Sequence, residues 1–416
     1  MTSRSDRSSS SPEGALLAQV HRAEWGRLLA LLVARTRRLD RAEDALSEAF
    51  ARAAERWPTE GAPDDPVAWL YRTAQRQVIG WLRSEAVAAR KAPLLAVRAD
   101  WVMPEDRLDQ LPDERLHLIL LCCHPALSAP SQCALALRLV LRTPTEAIAR
   151  LFLVERTAMA ARITRAKKKI VAAGIPLSAP VGEELRARLD EVCRTLYLGF
   201  TAGYAPGPGP LLLRADVAGE AVRLAEILRG LTSGAPQVDA LSALLLLQHS
   251  RRDARVVDGR LVLLADQDRQ RWHHDEVRRG LALAATLRPT RGHAEALRLQ
   301  VLVAAEHAKA PAAAATDWAA IARAYAALEA LTGSPVVRLN RAVAVAEAEG
   351  AAAGLELLDA LEESSLGHRL HVVRAELARR AGDLAGARLA YRAAIAGCTN
   401  EVERLHLSER FASVGA

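Results

Sequence analysis

Residues 143–170 read TPTEAIARLFLVERTAMAARITRAKKKI, and this stretch decides the fold of the chain around it. Thr143 is a good N-cap residue, and Pro144 suits the first position of a helix because its missing N–H would be unpaired there anyway. Glu146 adds negative charge in the first turn, where the helix dipole favours it. Together these signals predict that a helix begins here and extends over about 144–152.

A second helix is predicted directly after the first. The pattern breaks at residues 153–155, resumes at Arg156 and continues to about Ala173, and Gly174 and Pro176 then end it. Two short helices joined by a three-residue break are typical of a helix-turn-helix.

The second helix concentrates positive charge. Three of the five lysines in the chain lie in it, and Glu155 directly before it is the nearby anion. Arg162 and Arg165 are three residues apart and share a face that could read guanine edges in a major groove, while the lysines suit phosphates. The predicted DNA-binding residues are Arg156, Arg162, Arg165, Lys167, Lys168 and Lys169. A solvated basic helix without a nucleic-acid partner is the alternative.

The charge of the whole chain is uneven. Its 416 residues carry a formal net charge of +7; residues 1–175 hold 27 Lys and Arg against 20 Asp and Glu, whereas residues 176–416 hold 29 of each. A basic first part favours binding to a polyanion. Hydrophobic residues make up 50% and aromatic residues only 4%, a composition that favours helices over strands. We predict an all-α fold with more than one domain.

Two further helices are predicted before this motif. Asp40 and Glu43 are spaced as in a capping box and predict a helix that ends before a loop at 57–64. Asp65-Pro66 then predicts the start of a third helix, which continues to about Arg83. Apolar residues follow one face of that third helix, so its polar face is free to meet a ligand.

Several stretches resemble bacterial sigma factors of the extracytoplasmic-function group. Residues 145–149 and 159–170 resemble the DNA-binding helices of region 4, which reads the −35 promoter element in that family. Residues 40–50 resemble the region 2 helix that docks on the coiled coil of the polymerase β′ subunit, and residues 68–83 resemble the helix that reads the −10 element. Leu153 departs from the family pattern, because these turns usually carry glycine.

The resemblance assigns roles to individual side chains. The polymerase-binding residues would be Glu43, Asp44, Leu46, Glu48 and Phe50. The −10-binding residues would be Trp57, Trp69, Arg72, Gln75, Arg76 and Arg83. The implied partners are promoter DNA and core RNA polymerase, the latter through the β′ coiled coil and the β flap. From the residues alone, 40–56 is equally a solvated amphipathic helix, and both tryptophans suit a hydrophobic core.

The C-terminal half is predicted to be a helical extension. Helical patterns follow one another from about residue 183, interrupted by a predicted hairpin with an Asp-Gly turn in 254–264. At an offset of 34 residues, Ala353, Leu357 and Ala360 recur as Ala387, Tyr391 and Ala394. That offset resembles a tetratricopeptide repeat. Residues 121–127 and 265–272 resemble segments of a sigma-factor subgroup with a helical extension. Stacked helical repeats offer a concave surface, so we expect the extension to regulate the sigma domains by contacting them, or to hold a peptide or protein partner.

Neither a disulfide scaffold nor a metal site is predicted. The five cysteines form no even framework. Zinc binding and redox sensing are open for Cys122, Cys123 and Cys133 with His124, but buried core thiols are favoured because adjacent cysteines on a helix point apart. The acidic and histidine residues over 266–274 lack a nucleophile–base pair and a phosphate-binding glycine loop. We predict no metal, no cofactor and no catalytic residues.

The predicted organisation is a disordered leader at 1–14, sigma region 2 at 15–90, a linker at 91–110, sigma region 4 at 111–175 and a tetratricopeptide-like extension at 176–416. A signal peptide and a long apolar run are both missing from the sequence, which favours a cytoplasmic protein without a membrane partner. The predicted function is promoter-specific transcription initiation. The alternatives are a helix-turn-helix regulator that acts without replacing sigma, and a helical-repeat scaffold or enzyme.

Overall fold

The computed structural model describes residues 12–36, 38–91, 113–172, 180–204 and 214–414. Helices account for most of the described chain, which confirms the predicted all-α fold. The chain divides into two compact units, Met1–Leu198 and Gly199–Ala416. The predicted linker at 91–110 beyond its first residue, most of the leader, and the helix-ending Gly174 and Pro176 lie outside the described residues.

The first unit contains the helices that carry most of the predicted site residues. They are α1 (Pro12–Thr36), α2 (Leu39–Glu60), α3 (Pro66–Lys91), α4 (Glu114–Cys122), α5 (Ala129–Leu139), α6 (Thr145–Leu151) and α7 (Arg156–Ala172), followed by α8 (Gly182–Tyr204), which continues into the second unit.

The core of the first unit follows from helical spacing of apolar residues. On α2, Ala42, Leu46 and Ala49 are fully buried, and on α3 Leu70 and Val78 are fully buried as well. These positions recur every three or four residues, so each helix turns one stripe towards its neighbours. On α3 that stripe agrees with the prediction, and the opposite face carries the arginines.

The loop predicted at 57–64 is wrong in its first half. α2 continues to Glu60, and Gly61 ends it by donating its N–H to the carbonyl of Trp57 at 3.0 Å. Trp57 is only 2% exposed. Burial of this large side chain in the last turn stabilises the helix, and Pro58 there removes a single backbone donor close to the helix end.

The third helix is longer than predicted. α3 ends at Lys91 rather than near Arg83, because residues 84–91 contain no proline or glycine. Its predicted start is confirmed, since the Asp65 carboxylate accepts a hydrogen bond from the Ala68 N–H at 2.9 Å.

Two predicted caps are wrong. α2 begins at Leu39, and the Asp40 carboxylate is engaged by the Arg38 guanidinium at 3.1 Å instead of capping the helix. α6 begins at Thr145 with Pro144 as its N-cap, because Pro144 has ψ 142°, an extended value. The hydroxyl of Thr143 is buried and has no hydrogen-bond partner among the described residues, so it does not cap the helix.

The second unit is a succession of helices with one small hairpin. Its described elements after α8 are α9 (Ala215–Leu231), α10 (Pro236–His249), α11 (Arg252–Arg255), β1 (Val256–Val257), β2 (Arg260–Leu261), α12 (His274–Thr286), α13 (Gly292–Lys309), α14 (Trp318–Thr332), α15 (Pro335–Glu349), α16 (Ala351–Leu358), α17 (Glu363–Leu366), α18 (His368–Arg380), α19 (Leu384–Gly397) and α20 (Glu401–Ser413).

The predicted hairpin is confirmed. β1 and β2 are antiparallel, with Val256 opposite Leu261 and Val257 opposite Arg260. Asp258 and Gly259 between them have φ of 51° and 74°, as a tight hairpin turn requires.

The 34-residue offset relates α16 to α19 and α15 to α18. Ala387, Tyr391 and Ala394 on α19 are all buried, and Tyr391 donates to Glu376 on α18 at 3.0 Å. The earlier set matches less well, because α16 ends at Leu358 and Ala360 beyond it is exposed. The tetratricopeptide-like character of this unit stays a prediction.

Candidate nucleic-acid and polymerase interface

Helices α6 and α7 form the most clearly positioned of the predicted sites. Leu153 in the turn between them has φ 52° and is 78% exposed. A left-handed backbone is costly for leucine and free for glycine, which explains why glycine is usual at this position. The backbone at Leu153 therefore has the conformation that suits the usual glycine, although the leucine itself suggested a slightly different turn.

The buried side of α7 fixes which face remains available. Met159, Ile163, Ala166 and Ile170 are buried at spacings of three and four residues. Away from this stripe Arg165, Lys168 and Lys169 are exposed, and Arg156 is exposed at the first position of the helix, whereas Arg162 and Lys167 are half-buried. The exposed cations among the predicted DNA-binding residues therefore all lie on one helix, which holds them in fixed relative positions.

Lys167 differs from its neighbours because it is paired. Its Nζ lies 2.6 Å from Oε1 and 2.7 Å from Oε2 of Glu43 on α2. The structure thereby joins a lysine predicted to bind phosphate to a glutamate predicted to bind polymerase. The two residues are 124 positions apart in sequence, so neither pattern reveals the pair.

Further contacts join α1 to the segment around α4 and α5. Arg142 donates to the carbonyl of His21, and its guanidinium lies 5.0 Å from the ring centre of Trp25. Arg115 Nη2 donates to the carbonyl of Ala23 at 2.7 Å. A Cβ on Gly26 would collide with the carbonyl oxygen of Val140, so glycine permits this close approach. These contacts join α1 to residues in or just after α4 and α5, and the Glu43–Lys167 pair joins α2 to α7. We call the whole set the α1–α2 joint.

His21 lies inside the α1–α2 joint. Burial, followed by the charges of Arg142, Arg138 and Arg22, lowers the pKa of His21 to about 4. Its ring packs against Phe50 at 4.7 Å between centres, and a cavity of about 300 Å³ lies beside these rings. His21 is therefore neutral at physiological pH.

The five predicted polymerase-binding residues fall into different environments. Asp44 and Glu48 are exposed, and Glu48 accepts from Arg52 at 3.1 Å. Leu46 is fully buried and Phe50 is 7% exposed. In this conformation Leu46 and Phe50 support the helix from inside, and Glu43 is held by Lys167. Of the five residues, Asp44 and Glu48 therefore remain exposed and available for docking.

The predicted −10 residues divide in a similar way. Arg72, Arg76 and Arg83 are exposed on α3, and Gln75 is half-buried. Trp57 and Trp69 pack edge to face with ring centres 5.7 Å apart. Trp57 is accordingly a core residue in this conformation, while Trp69 keeps partial exposure.

Sequence patterns missed a recess on α3. It measures about 400 Å³ and is lined by Arg52, Thr73, Arg76, Gln77, Gly80 and Trp81. Trp81 had the spacing of a core residue, yet it is only half-buried, with Arg41 stacked 5.5 Å above its ring. Gly80 is the signal that could have revealed this recess, because it has open space where other residues carry a side chain.

The cysteines behave as core thiols. All five are buried and unpaired to one another. Burial raises the pKa of Cys122 to about 12 and of Cys133 to about 11, which makes both poor nucleophiles and poor redox sensors. The Nδ1 atom of His124 accepts from the Ala126 N–H at 3.1 Å and so serves a turn.

One group of described residues has the side-chain types of a metal site. His368, Cys398 and Glu403 place ligand atoms within 4.8 Å of one another. His368 already engages Glu403 at 3.2 Å, and the charges of Arg369 and Arg255 act on the same carboxylate. This positive surrounding opposes a bound cation. The prediction of no metal stays a prediction.

Comparison with known proteins supports the sigma-factor resemblance of the first unit. Residues 22–87 match sigma-70 region 2, and residues 188–288 match a family of unknown function. An uncharacterized protein of Rhizobium meliloti (strain 1021) is 40% identical over 378 residues, which cover 89% of each chain. The chain belongs to the same family as this rhizobial protein. Its region 2 makes it a bacterial sigma-factor-like protein of transcription initiation. No solved structure matches it.

This family membership adds to the site in one respect. Region 2 includes α2 and most of α3, and its presence implies that the protein binds core RNA polymerase and promoter DNA. Among the described residues, no helix is long and apolar enough to cross a membrane.

Proposed function

We propose that this protein is a sigma factor of the extracytoplasmic-function type with a fused C-terminal regulatory unit. The observation that carries the proposal is the exposed basic face of α7, held by a short turn against α6 in the same compact unit as region 2. Region 2 alone would engage polymerase and the −10 element. A second DNA-binding element is what a −35 contact requires, and α7 supplies its charge and its geometry.

Within this proposal the cations of α7 have separate tasks. Arg162 and Arg165 read base edges in the major groove, because the arginine fork matches guanine. Arg156, Lys168 and Lys169 neutralise phosphates and position the helix. The exposed arginines of α3 hold the −10 strand, and Trp69 and the half-buried Trp81 offer ring faces on which an unpaired base can stack.

The Glu43–Lys167 pair gives the proposal a conformational consequence. Glu43 cannot meet polymerase and Lys167 cannot meet a phosphate while their side chains bind each other. Formation of the initiation complex therefore breaks this pair and opens the α1–α2 joint. The free protein would resist promoter DNA until polymerase binding separates α2 from α7.

The C-terminal unit, from about residue 176, is proposed to regulate the DNA-binding helices. Its helical hairpins offer surfaces for a peptide or protein partner. Removing residues 205–416, which leaves α8 in place because most of it belongs to the first unit, tests this role. We expect altered promoter output or altered inducibility, and unchanged values of both would reject it.

The decisive experiment is run-off transcription with reconstituted core polymerase and genomic fragments. We expect defined start sites that depend on the full chain. Arg162→Ala should then lower promoter affinity by about 1–3 kcal/mol in a sequence-dependent way. Lys309→Ala, a lysine of α13, is the matched control and should leave promoter affinity unchanged.

Two outcomes would favour the alternatives. Sequence-specific binding to DNA with no co-purifying polymerase and no initiation would indicate a regulator that acts without replacing sigma. Failure to bind any promoter DNA, even with core polymerase, would indicate a scaffold or enzyme.

A further inference from the structure

A second group of arginines lies in the unit Gly199–Ala416, at positions that the proposed sigma role does not use. Arg251 follows α10, Arg255 ends α11, and Arg269 begins a short turn before Trp272. They come from one segment, and each is half-buried rather than exposed. We call these three residues the arginine cluster.

Contacts with fixed groups hold two of the three arginines in place. Arg255 Nη2 donates to the carbonyl of Tyr204 at 3.2 Å, and its guanidinium lies 5.2 Å from the centre of that ring. Arg269 Nη1 donates to the carbonyl of His307 at 2.6 Å and stacks 4.5 Å from the ring centre of Trp272. Carbonyls and ring faces orient a guanidinium without neutralising it.

The third arginine, Arg251, is half-buried and close enough to the other two for their charges to act on it. After burial, the groups that lower or raise the pKa of Arg251 are Arg255, Tyr204, Tyr325 and Arg269, and its pKa falls to about 10. Arg251 and Arg269 also act together on His307, whose pKa is lowered to about 4, first by burial. The three positive charges therefore share one aromatic-lined environment.

This group lacks the acidic partners that other arginines of the same unit have. Arg252 binds Glu276 at 2.8 Å, and Arg298 binds Glu295 at 2.7 Å. Among the described residues, no carboxylate lies within ion-pair distance of any member of the arginine cluster. Glu403 acts on Arg255 from farther away and is itself engaged by His368. Residues 205–213, which follow Tyr204, contain no acidic side chain.

Two buried hydrogen-bond donors at this site are also unpaired among the described residues. The Nε atom of Arg255 is buried and has no hydrogen-bond partner among the described residues, and the same holds for the indole nitrogen of Trp272. Buried donors are normally paired, because leaving one unpaired costs about 1–3 kcal/mol. Enclosed like charges add a further cost when nothing neutralises them.

We propose that the arginine cluster is a binding site for a small organic anion that carries a phosphate or a carboxylate. Such an oxyanion accepts from guanidinium groups in a planar, two-point fashion and offsets their charge. The rings of Tyr204 and Trp272 are buried and hold Arg255 and Arg269 on their faces, so the site offers the ligand oriented guanidinium groups. The partial exposure of all three arginines leaves a route for it. The site is independent of the proposed sigma role.

The test measures anion binding to the full chain by calorimetry at constant ionic strength, with inorganic phosphate and succinate as probes and sodium chloride as the balancing salt. We expect saturable binding of at least one probe, accompanied by a rise in melting temperature with probe concentration. The probe that binds more tightly identifies whether the natural group is a phosphate or a carboxylate.

Variants separate this site from the basic helix α7. Arg251→Lys and Arg255→Lys keep the charge but lose the planar fork, and each should weaken binding about tenfold. Arg271→Ala, an exposed arginine beside the cluster, and Lys168→Ala on α7 should stay within about twofold of the parent.

The proposal fails if neither probe saturates, or if Lys168→Ala removes binding while Arg255→Lys does not, since the ions would then bind α7. Circular dichroism establishes whether each variant is folded. If Arg251→Lys does not fold, the result for Arg255→Lys alone decides the test.

Discussion

The cations of α7 and those of the arginine cluster are of the same chemical type, yet their surroundings differ. On α7, Arg156, Arg165, Lys168 and Lys169 point into solvent from one helix. In the arginine cluster, Arg255 and Arg269 are held by rings and carbonyls, and Arg251 is half-buried near them. An exposed row suits a long polyanion, which releases counterions along its length. An enclosed group suits a single small anion.

The largest expected effect is on promoter binding by the exposed cations of α7. Replacing both Lys168 and Lys169 with alanine should weaken promoter binding roughly tenfold or more near physiological salt, and the salt dependence should fall by about two phosphate contacts. Fluorescence anisotropy at several salt concentrations measures both quantities. The melting temperature should not change, because both side chains are exposed. An unchanged salt slope would show that these lysines do not contact phosphate.

The sequence was sufficient for α7 because local signals decide it. Periodic apolar residues such as Met159 and Ile163 fix the buried face, and the charges on the other face follow by spacing. At Leu153 the departure from the glycine pattern suggested a slightly different turn, whereas the backbone there has the left-handed conformation that glycine favours. Family resemblance added region 2, which spacing alone would have left as an amphipathic helix.

The arginine cluster was beyond prediction, because its members meet only in three dimensions. Residues 176–416 have equal numbers of positive and negative side chains, so the count shows no excess. Folding then separates them: Glu276 pairs with Arg252 and leaves Arg251 unneutralised. The Glu43–Lys167 pair and the burial of Trp57 were missed for the same reason, since tertiary packing decides both.

The next effect concerns pH and the α1–α2 joint. The pKa of His21 is about 4 in the folded protein against 6.5 ordinarily, so the unfolded chain takes up a proton first as the pH falls. The stability linked to His21 is present above pH 6.5 and is lost towards pH 4. Because solvent still reaches this ring, we expect a loss of about 1–2 kcal/mol rather than the full value of the shift.

Denaturant unfolding at several pH values checks this expectation. His21→Gln should flatten the pH dependence of the first unit between pH 6.5 and 4, the interval set by its pKa. His274→Gln, an exposed histidine of the second unit, is the control. A pH dependence that persists unchanged in His21→Gln would assign the effect to other groups.

A smaller effect tests whether Lys167 belongs with the exposed cations or apart from them. The side chains of Lys167 and Glu43 are 30% and 24% exposed, so their coupling should be about 1 kcal/mol. A double-mutant cycle with Glu43→Gln and Lys167→Met in urea measures it. Glu43→Gln should also raise the affinity of the free protein for promoter DNA. A coupling free energy near zero would show that Glu43 does not hold Lys167, which would then belong with the exposed cations of α7.

The smallest effect uses two histidines as reporters of the two sets of arginines in the molecule. Burial and nearby arginines lower the pKa of both His21 and His307 to about 4, but His307 lies beside the arginine cluster and His21 beside Arg142. An anion bound by Arg251 and Arg269 would offset the charges that act on His307 and raise its pKa. The ring of His21 would keep its pKa, because its arginines belong to the α1–α2 joint. Proton NMR titration with and without the tighter-binding probe measures both rings, and Arg251→Lys should reduce the shift at His307. Equal upward shifts at both rings would show that the anion acts by general screening, and the distinction between an exposed row and an enclosed anion site would then fail.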